Sequence, residues 1–298
     1  MVRVRMKKKM KDSITGYLFI LPVGVIVVII AIPLLQSIWM SFSDYYLLSG
    51  SSGHPFIGLR NYKEVIDQSH FWKMTKVTGY YVLFCVIGKM FMGLLVALVL
   101  DTKIKGIGVI RSLLPIPWAI PGIVVALLFT IALNPTYGIV NHVLKSMHVI
   151  EREILFLVDV NFALPTVICI GIWKNFPFVA LMLLASLQGI PPELYEAARI
   201  DGANSIQKFL YITWPMIIPV WRIVLILQVI YTIKEFELIY ILTFGGPDLS
   251  TNVVGLDLYR NAFTFFKFGV AASEGVILLV IGFIITFIYY RIEIKGKD

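Results

Sequence analysis

Five charged side chains, Lys89, Lys174, Lys234, Glu235 and Glu237, stand inside long apolar runs. A charge at the centre of a membrane costs roughly 2.5–3.5 kcal/mol on insertion scales, so such residues face a cavity, a partner or one another. Lys234 and Glu237 are three apart, which on one helix puts them on a shared face where they can pair. Glu235 then points about 100° away and needs another partner, Lys174 or a group on a second chain. Trp173, Phe176, Tyr231, Phe236 and Tyr240 lie beside these charges in the sequence or on neighbouring runs. Aromatic faces next to hydrogen-bonding groups suit a sugar, with its apolar C–H faces and hydroxyl edges. Three readings stay open for this set, one being that the span boundaries are misplaced and the charges lie outside the membrane. Otherwise the charges are interhelical glue, or Trp173, Lys174, Tyr231, Lys234, Glu235, Glu237 and Tyr240 line a solute path.

A second constellation is polar and lies between two greasy runs, from Ile190 to Pro219. Pro191-Pro192 suits a helix start, where the missing amide donor does no harm. Glu193 and Glu196 follow in the first turns, where acids complement the helix dipole. Ala197 and Ala198 favour helix and leave a flat surface for close approach. Gly202 after Asp201 suits a C-terminal cap, because glycine tolerates positive φ. Asn204 with Gln207 three residues on begins a second short helix by reciprocal capping. Pro215 and Pro219 are expected to end that helix and lead into the next run. The result is helix, sharp turn, helix: a rigid elbow.

The elements that hold these groups are read from composition. The chain has 298 residues, of which 58% are apolar and 15% charged, where a soluble domain usually carries about 25% charge. The mean hydropathy is +0.85. Continuous apolar runs without period-two alternation favour membrane helices over a barrel. The runs are Tyr17–Met40, Val77–Leu100, Val109–Leu133, Phe162–Leu187, Val220–Leu242 and Val270–Tyr290. The expected fold is therefore all-α: a single membrane bundle over residues 1–298 with about six transmembrane helices. Prolines interrupt several runs: Pro22 and Pro33, then Pro115, Pro117 and Pro121, then Pro165 and Pro177. They mark either ordinary packing variety or a bundle bent around a pathway.

The net charge of +8 is distributed for a membrane and not for nucleic acid. Arg3, Arg5, Lys7, Lys8, Lys9 and Lys11 precede the first run. Lys103, Lys105 and Arg111 follow the second, Arg199, Lys208 and Arg222 the fourth, and Arg291, Lys295 and Lys297 the sixth. The opposite side carries fewer, among them Arg60, Lys63, Lys73 and Lys76. Positive-inside bias puts both termini in the cytoplasm, with segment 1–16 and tail 291–298. The elbow, residues 190–219, then faces the cytoplasm too. The first run is too long for a cleaved leader and is expected to be retained. The longest outer loop, about 41–76, contains the flexible punctuation Ser49-Gly50-Ser51-Ser52-Gly53. Cys85 and Cys169 fall in spans and read as small apolar residues. His54, His70, His142 and His148 lie on the outer side at no metal-binding spacing, so solvated or loop-packing roles are expected.

The elbow string resembles the "EAA" loop of binding-protein-dependent ABC importer permeases. The closest pattern is that of the carbohydrate-uptake family, roughly IPxELYEAAxIDGAxxxQxFxxITLP. Pro191, Pro192 and Trp214 fall within the variation expected of that pattern. Gly58-Leu59-Arg60-Asn61-Tyr62 with Phe71-Trp72 resembles that family's GLxNY…FW segment, although Val77-Thr78 stands where Asn-Thr is usual. Residues 236–243 with Gly245-Gly246-Pro247 resemble its FDxIYxLTxGGP segment, with Glu237 in place of Asp. This last segment is similar to that of the maltose-permease-like first subunit of a heterodimer. The resemblance implies a coupling helix over Glu193, Glu196, Ala197, Ala198, Asp201 and Gly202, docked into a cytoplasmic ATPase. It also implies a second homologous permease subunit, two ABC ATPase subunits carrying ATP and Mg, and an extracytoplasmic solute-binding protein. This sequence holds no GxxxxGK[ST] string, so no catalytic residue, cofactor or metal is expected on the chain itself. A gradient-driven secondary transporter using the intramembrane acids as proton relays is the main alternative; it leaves the elbow unexplained. A membrane enzyme acting on a lipid-linked sugar would need paired acids or a metal set at the surface, and no such set is evident.

Overall fold

The computed structural model describes residues 2–49, 53–102 and 104–295. Gly50, Ser51, Ser52, Lys103 and Lys297 lie outside the described residues, as do the side chains of Arg3, Arg5, Lys7, Lys8, Lys9, Lys11 and Lys295. Among the described residues there are helices and two isolated bridges, but no strand. In chain order the helices begin with α1 (Val2–Ser41), α2 (Arg60–Asp67), α3 (Ser69–Leu100), α4 (Ile107–Leu113), α5 (Ile116–Ala119), α6 (Gly122–Ala132) and α7 (Ile139–Ser146). They continue with α8 (Val160–Gln188), α9 (Pro192–Ile200), α10 (Ser205–Lys208), α11 (Trp214–Ile233), α12 (Glu237–Thr243), α13 (Val254–Phe263) and α14 (Phe268–Lys295).

By length and composition, Phe19–Ser41, Ser69–Leu100, Val160–Gln188, Ser205–Ile233 and Phe268–Tyr289 suffice to cross a membrane. The expected third span is not one helix: Ile107–Ala119 and Gly122–Ala132 meet at 91°. Pro115, Pro117 and Pro121 cluster at that bend, where each removes a helical donor. The prolines of α1 and α8 behave differently, since both helices run through them. The expected fifth span, Val220–Leu242, is also corrected. It ends at Ile233, leaves Glu235 and Phe236 outside helix, and resumes at Glu237. Nor do Pro215 and Pro219 end the short helix before it. Phe209–Thr213 forms a wide π turn, with Pro215 in the first turn of α11 and Pro219 inside it. A proline in a first turn forfeits no helical bond.

The chain folds as two units, one of residues up to Asp67 with Leu258–Ile277, the other of Gln68–Asp257 with residues from Leu278 onward. In the first, Asn61 Nδ2 donates to the carbonyls of Ser41 and Ser43, both at 2.9 Å, and so binds α2 to the end of α1. Ser41 Oγ and Tyr62 Oη lie 2.7 Å apart in the same joint. The Gly58–Tyr62 segment therefore has a structural task. His54 stacks on Tyr45 at 3.7 Å. From Phe19 to Trp39 most side chains are exposed, as those of an apolar helix facing lipid would be.

The second unit is built on α3 and α8. Gly171 lies against Tyr81 and Cys85, Gly88 against Ile172, and Gly93 against Val179 and Ala180. These positions rise together, so the two helices run parallel. Two parallel spans require one crossing between them, which the bent α4–α6 segment supplies. Two apolar clusters fill this unit. One joins Tyr81, Cys85, Val125, Val167, Leu238 and Leu256. The other joins Met90, Ala97, Val179, Leu183, Ile217 and Val224, and reaches Tyr195 and Trp214. Cys85 is buried in the first cluster, and Cys169 is exposed. Past the end of α3, Arg111 Nε and Nη2 donate to the Leu100 carbonyl at 3.1 and 2.5 Å, satisfying a helix-end acceptor. Burial pushes the neighbouring Asp101 carboxyl above its ordinary range, with Arg111 pulling it back.

Candidate functional site

The elbow forms as its residues dictate. Pro192 is the first residue of α9, and Glu193 lies in its first turn. At the other end the amide of Gly202 donates to the Arg199 carbonyl at 3.2 Å, and that of Ala203 to Ala198 at 2.9 Å. This is a Schellman cap, and it requires the φ of +76° that Gly202 adopts. Asn204 and Gln207 then form a complete capping box, with bonds of 2.8 and 2.9 Å. Tyr195 and Ala198 turn inward, and Glu193, Glu196, Ala197, Asp201 and Gly202 are exposed. Tyr195 Oη lies 2.9 Å from Thr213 Oγ1, which ties α9 to the foot of α11. Trp214 packs edge-on against Trp221 at 5.6 Å and continues the same joint. Ile200, Ile206 and Tyr211 are 87, 70 and 78% exposed. Apolar side chains this bare beside acids form a docking surface more readily than a solvated loop.

The intramembrane charges form a second site. A cavity of about 450 Å³ is lined by Lys89, Trp118, Gly122, Lys174, Asn175, Phe178, Gln228, Tyr231, Lys234, Glu235, Phe236, Glu237 and Leu238. The helix break between α11 and α12 forms part of its wall. Lys174, Tyr231, Lys234, Glu235 and Glu237 are thus brought together as the sequence suggests. Trp173 and Tyr240 are not. Trp173 is turned about 100° from Lys174 and meets Phe129 edge-on at 5.4 Å. Tyr240 lies a turn further along α12, about 5 Å on, against Phe244 at 4.8 Å.

The charge pairing also differs from expectation. Glu235 pairs with Lys89 on α3, at 3.4 Å, and not with Lys174. Asn175 Nδ2 donates to the other Glu235 oxygen at 3.4 Å. Lys89 Nζ also donates to Thr232 Oγ1 at 3.0 Å, and its side chain is only 1% exposed. Lys234 caps α11 and lies 5.8 Å from the Tyr231 ring centre, instead of meeting Glu237. The reason is the break itself: the two residues do not share one helix. Glu237 reaches instead toward Gly122, where a β-carbon would stand 2.8 Å from its Oε2. Sequence reasoning missed Asn175 and Gln228 because it followed charge. Amides within apolar runs were the available sign. Trp118 and Phe178, tilted at 5.5 Å, give the cavity an aromatic wall. Among the described residues, no group of three His, Cys, Asp or Glu is placed to hold a metal ion.

A polytopic helix bundle with a polar cavity at a broken span and a solvent-facing elbow has the build of a transport permease. Residues 89–295 match the family described as binding-protein-dependent transport system inner membrane component, and the chain belongs to that family. It is 35% identical over 293 residues to the trehalose/maltose transport system permease protein MalF of Thermococcus litoralis, covering 98% of each chain. It is 34% identical over 288 residues to the sulfoquinovosyl glycerol transport system permease protein SmoG of Agrobacterium fabrum, covering 96% of this chain and 92% of that one. Its fold matches a chain of a bacterial ABC transporter involved in the import of the acidic polysaccharide alginate. The TM-score there is 0.85 at 23% identity, over 99% of this chain and 100% of that chain. The protein is a multi-pass component of the inner membrane and a permease subunit of an ABC importer.

Proposed function

We propose that this chain conducts a sugar or oligosaccharide across the cytoplasmic membrane, driven by ATP hydrolysed on separate subunits. The elbow carries the reading. It is an exposed helix with apolar side chains left bare, begun at a proline, closed by a Schellman cap and bonded to the foot of a span. The partners in this reading are a second homologous permease, two cytoplasmic ABC ATPases holding ATP and Mg, and an extracytoplasmic binding protein. Both termini and residues 190–219 lie in the cytoplasm, so α9 reaches the ATPases. Glu193, Glu196, Ala197, Ala198, Asp201 and Gly202 form the docking helix and its cap. Closure of the ATPases on ATP moves α9, and the Tyr195–Thr213 contact passes that movement to α11. Relatives named for trehalose, maltose and sulfoquinovosyl glycerol support a carbohydrate cargo, as do the aromatic wall and carboxylates of the cavity.

Purification in mild detergent is expected to bring down a second permease and an ATPase. A chain recovered alone from an intact membrane extract counts against the reading. Within the cavity, Glu237→Gln is expected to raise the KM for uptake about tenfold, since a hydrogen bond to a charged group contributes about 1.5–3 kcal/mol. Complex assembly should persist. Unchanged KM and rate in this variant would remove Glu237 from the path.

A further inference from the structure

A buried network joins the cavity to the helix that bears the elbow. Lys89 projects from α3 between the two apolar clusters, with Cys85 in one and Met90 in the other. Its Nζ donates to Thr232 Oγ1 at 3.0 Å, and Thr232 Oγ1 donates in turn to the Gln228 carbonyl at 2.6 Å. Both acceptors belong to the last turns of α11. The same Nζ lies 3.4 Å from Glu235, in the helix break, whose other oxygen is held from α8 by Asn175. Among the described residues, Glu235 is the carboxylate within 4.0 Å of Lys89. Three helices thus meet at the residue where α11 stops.

Lys89, Asn175, Gln228 and Glu235 also line the cavity. A solute there meets the very groups that hold the break. Hydroxyls both donate and accept, so a polyhydroxylated solute competes for Glu235 and for the lysine at once. Helix α11 has 20 residues and spans about 30 Å. Its far end is Trp214, next to Thr213, which Tyr195 of the elbow contacts at 2.9 Å.

We propose that Lys89 is a positioning residue that fixes the α11–α12 break through Glu235, and that cargo in the cavity disturbs this lock, so that occupancy reaches the elbow along α11. The inference rests on the importer reading above and adds a cargo sensor to it. Coupling between two sites requires an element that both bias, and α11 has one site at each end. Without cargo the lock holds α11 in the state that keeps the elbow, and with it ATP hydrolysis, at rest.

The test uses the purified complex with its ATPases and needs no identified cargo. Lys89→Met is expected to raise sugar-free ATP hydrolysis about fivefold or more, the lower end of typical coupling factors. Lys89→Arg keeps the charge, so its sugar-free hydrolysis should rise less than that of Lys89→Met. A lone, half-buried Glu235 would itself destabilise the chain, so the deciding variant is Lys89→Met with Glu235→Gln, which removes both charges. That double variant should regain the wild-type melting temperature yet keep the raised sugar-free hydrolysis. Wild-type hydrolysis in the double variant would mean that the pair only packs helices, and would overturn the inference alone. A chain that co-purifies with no ATPase would overturn the importer reading and the inference with it.

Discussion

Replacing Gly202 with valine is expected to leave the chain in the membrane and to lower uptake per ATP hydrolysed by about tenfold. The cause is local. Gly202 sits at φ +76°, and a β-carbon there meets nothing within 4 Å. Crowding is therefore absent, and only backbone strain remains. An L residue in the left-handed region costs roughly 1–2 kcal/mol, and each 1.4 kcal/mol is about a factor of ten. Strain of that size opens the Schellman cap and frees α9 to turn relative to the capping box at Asn204. Three variants separate this cause from any other. Gly202→Asn should behave almost as wild type, because asparagine tolerates positive φ. Gly202→Ala should fall between, and Gly202→Val should be worst, being β-branched. Glu196→Lys, which changes the exposed face and not the cap, should uncouple without this ordering. The measurement is sugar uptake and ATP hydrolysis in the same vesicles. Equal behaviour of the asparagine and valine variants would show that the cap geometry is irrelevant.

The elbow was legible in the sequence because its physics is local. A proline start, a glycine stop and an Asn204–Gln207 box each depend on neighbours within a few residues, and all three form. The cavity was legible only in part. Charges in apolar runs point to a polar site wherever they occur, and Lys174, Lys234, Glu235 and Glu237 do converge there. Their pairing was not legible. Matching Lys234 with Glu237 requires an unbroken helix, whereas the partner that Glu235 takes, Lys89, lies 146 residues away in the chain. No window of sequence holds both. The same holds for Trp173, whose placement depends on Phe129 of a different span. The prolines divide on this point as well. Three clustered at residues 115–121 coincide with a 91° bend, but Pro165 and Pro177 stay inside α8, the helix that packs against α3 at Gly88, Gly93 and Gly171.

That packing is also the most vulnerable part of the fold. Gly93→Leu is expected to abolish assembly and uptake, and Gly93→Ala to lower stability by about 1–3 kcal/mol, the usual range for overpacking. A β-carbon at Gly93 would stand 2.5 Å from Val179 Cγ1, 2.6 Å from Val179 Cβ and 3.1 Å from the Ala180 amide nitrogen. Backbone and a β-carbon cannot rotate away, so α3 and α8 must part. Gly88 looks similar in sequence but differs in kind. Its closest neighbour is the Cδ1 end of Ile172, which a rotamer change can move. Gly88→Ala should therefore be tolerated far better than Gly93→Ala. In a membrane, small residues matter because close approach supplies the dispersion contacts that the hydrophobic effect does not. The seam also sets the site, since α3 carries Lys89 while α8 carries Lys174 and Asn175. Parting the helices separates Asn175 from Glu235 and opens the network that fixes the break. Thermal melts of the purified complex read the stability difference, and uptake reads its consequence. If the alanine variants at 88 and 93 melt together, the seam yields more easily than its geometry implies.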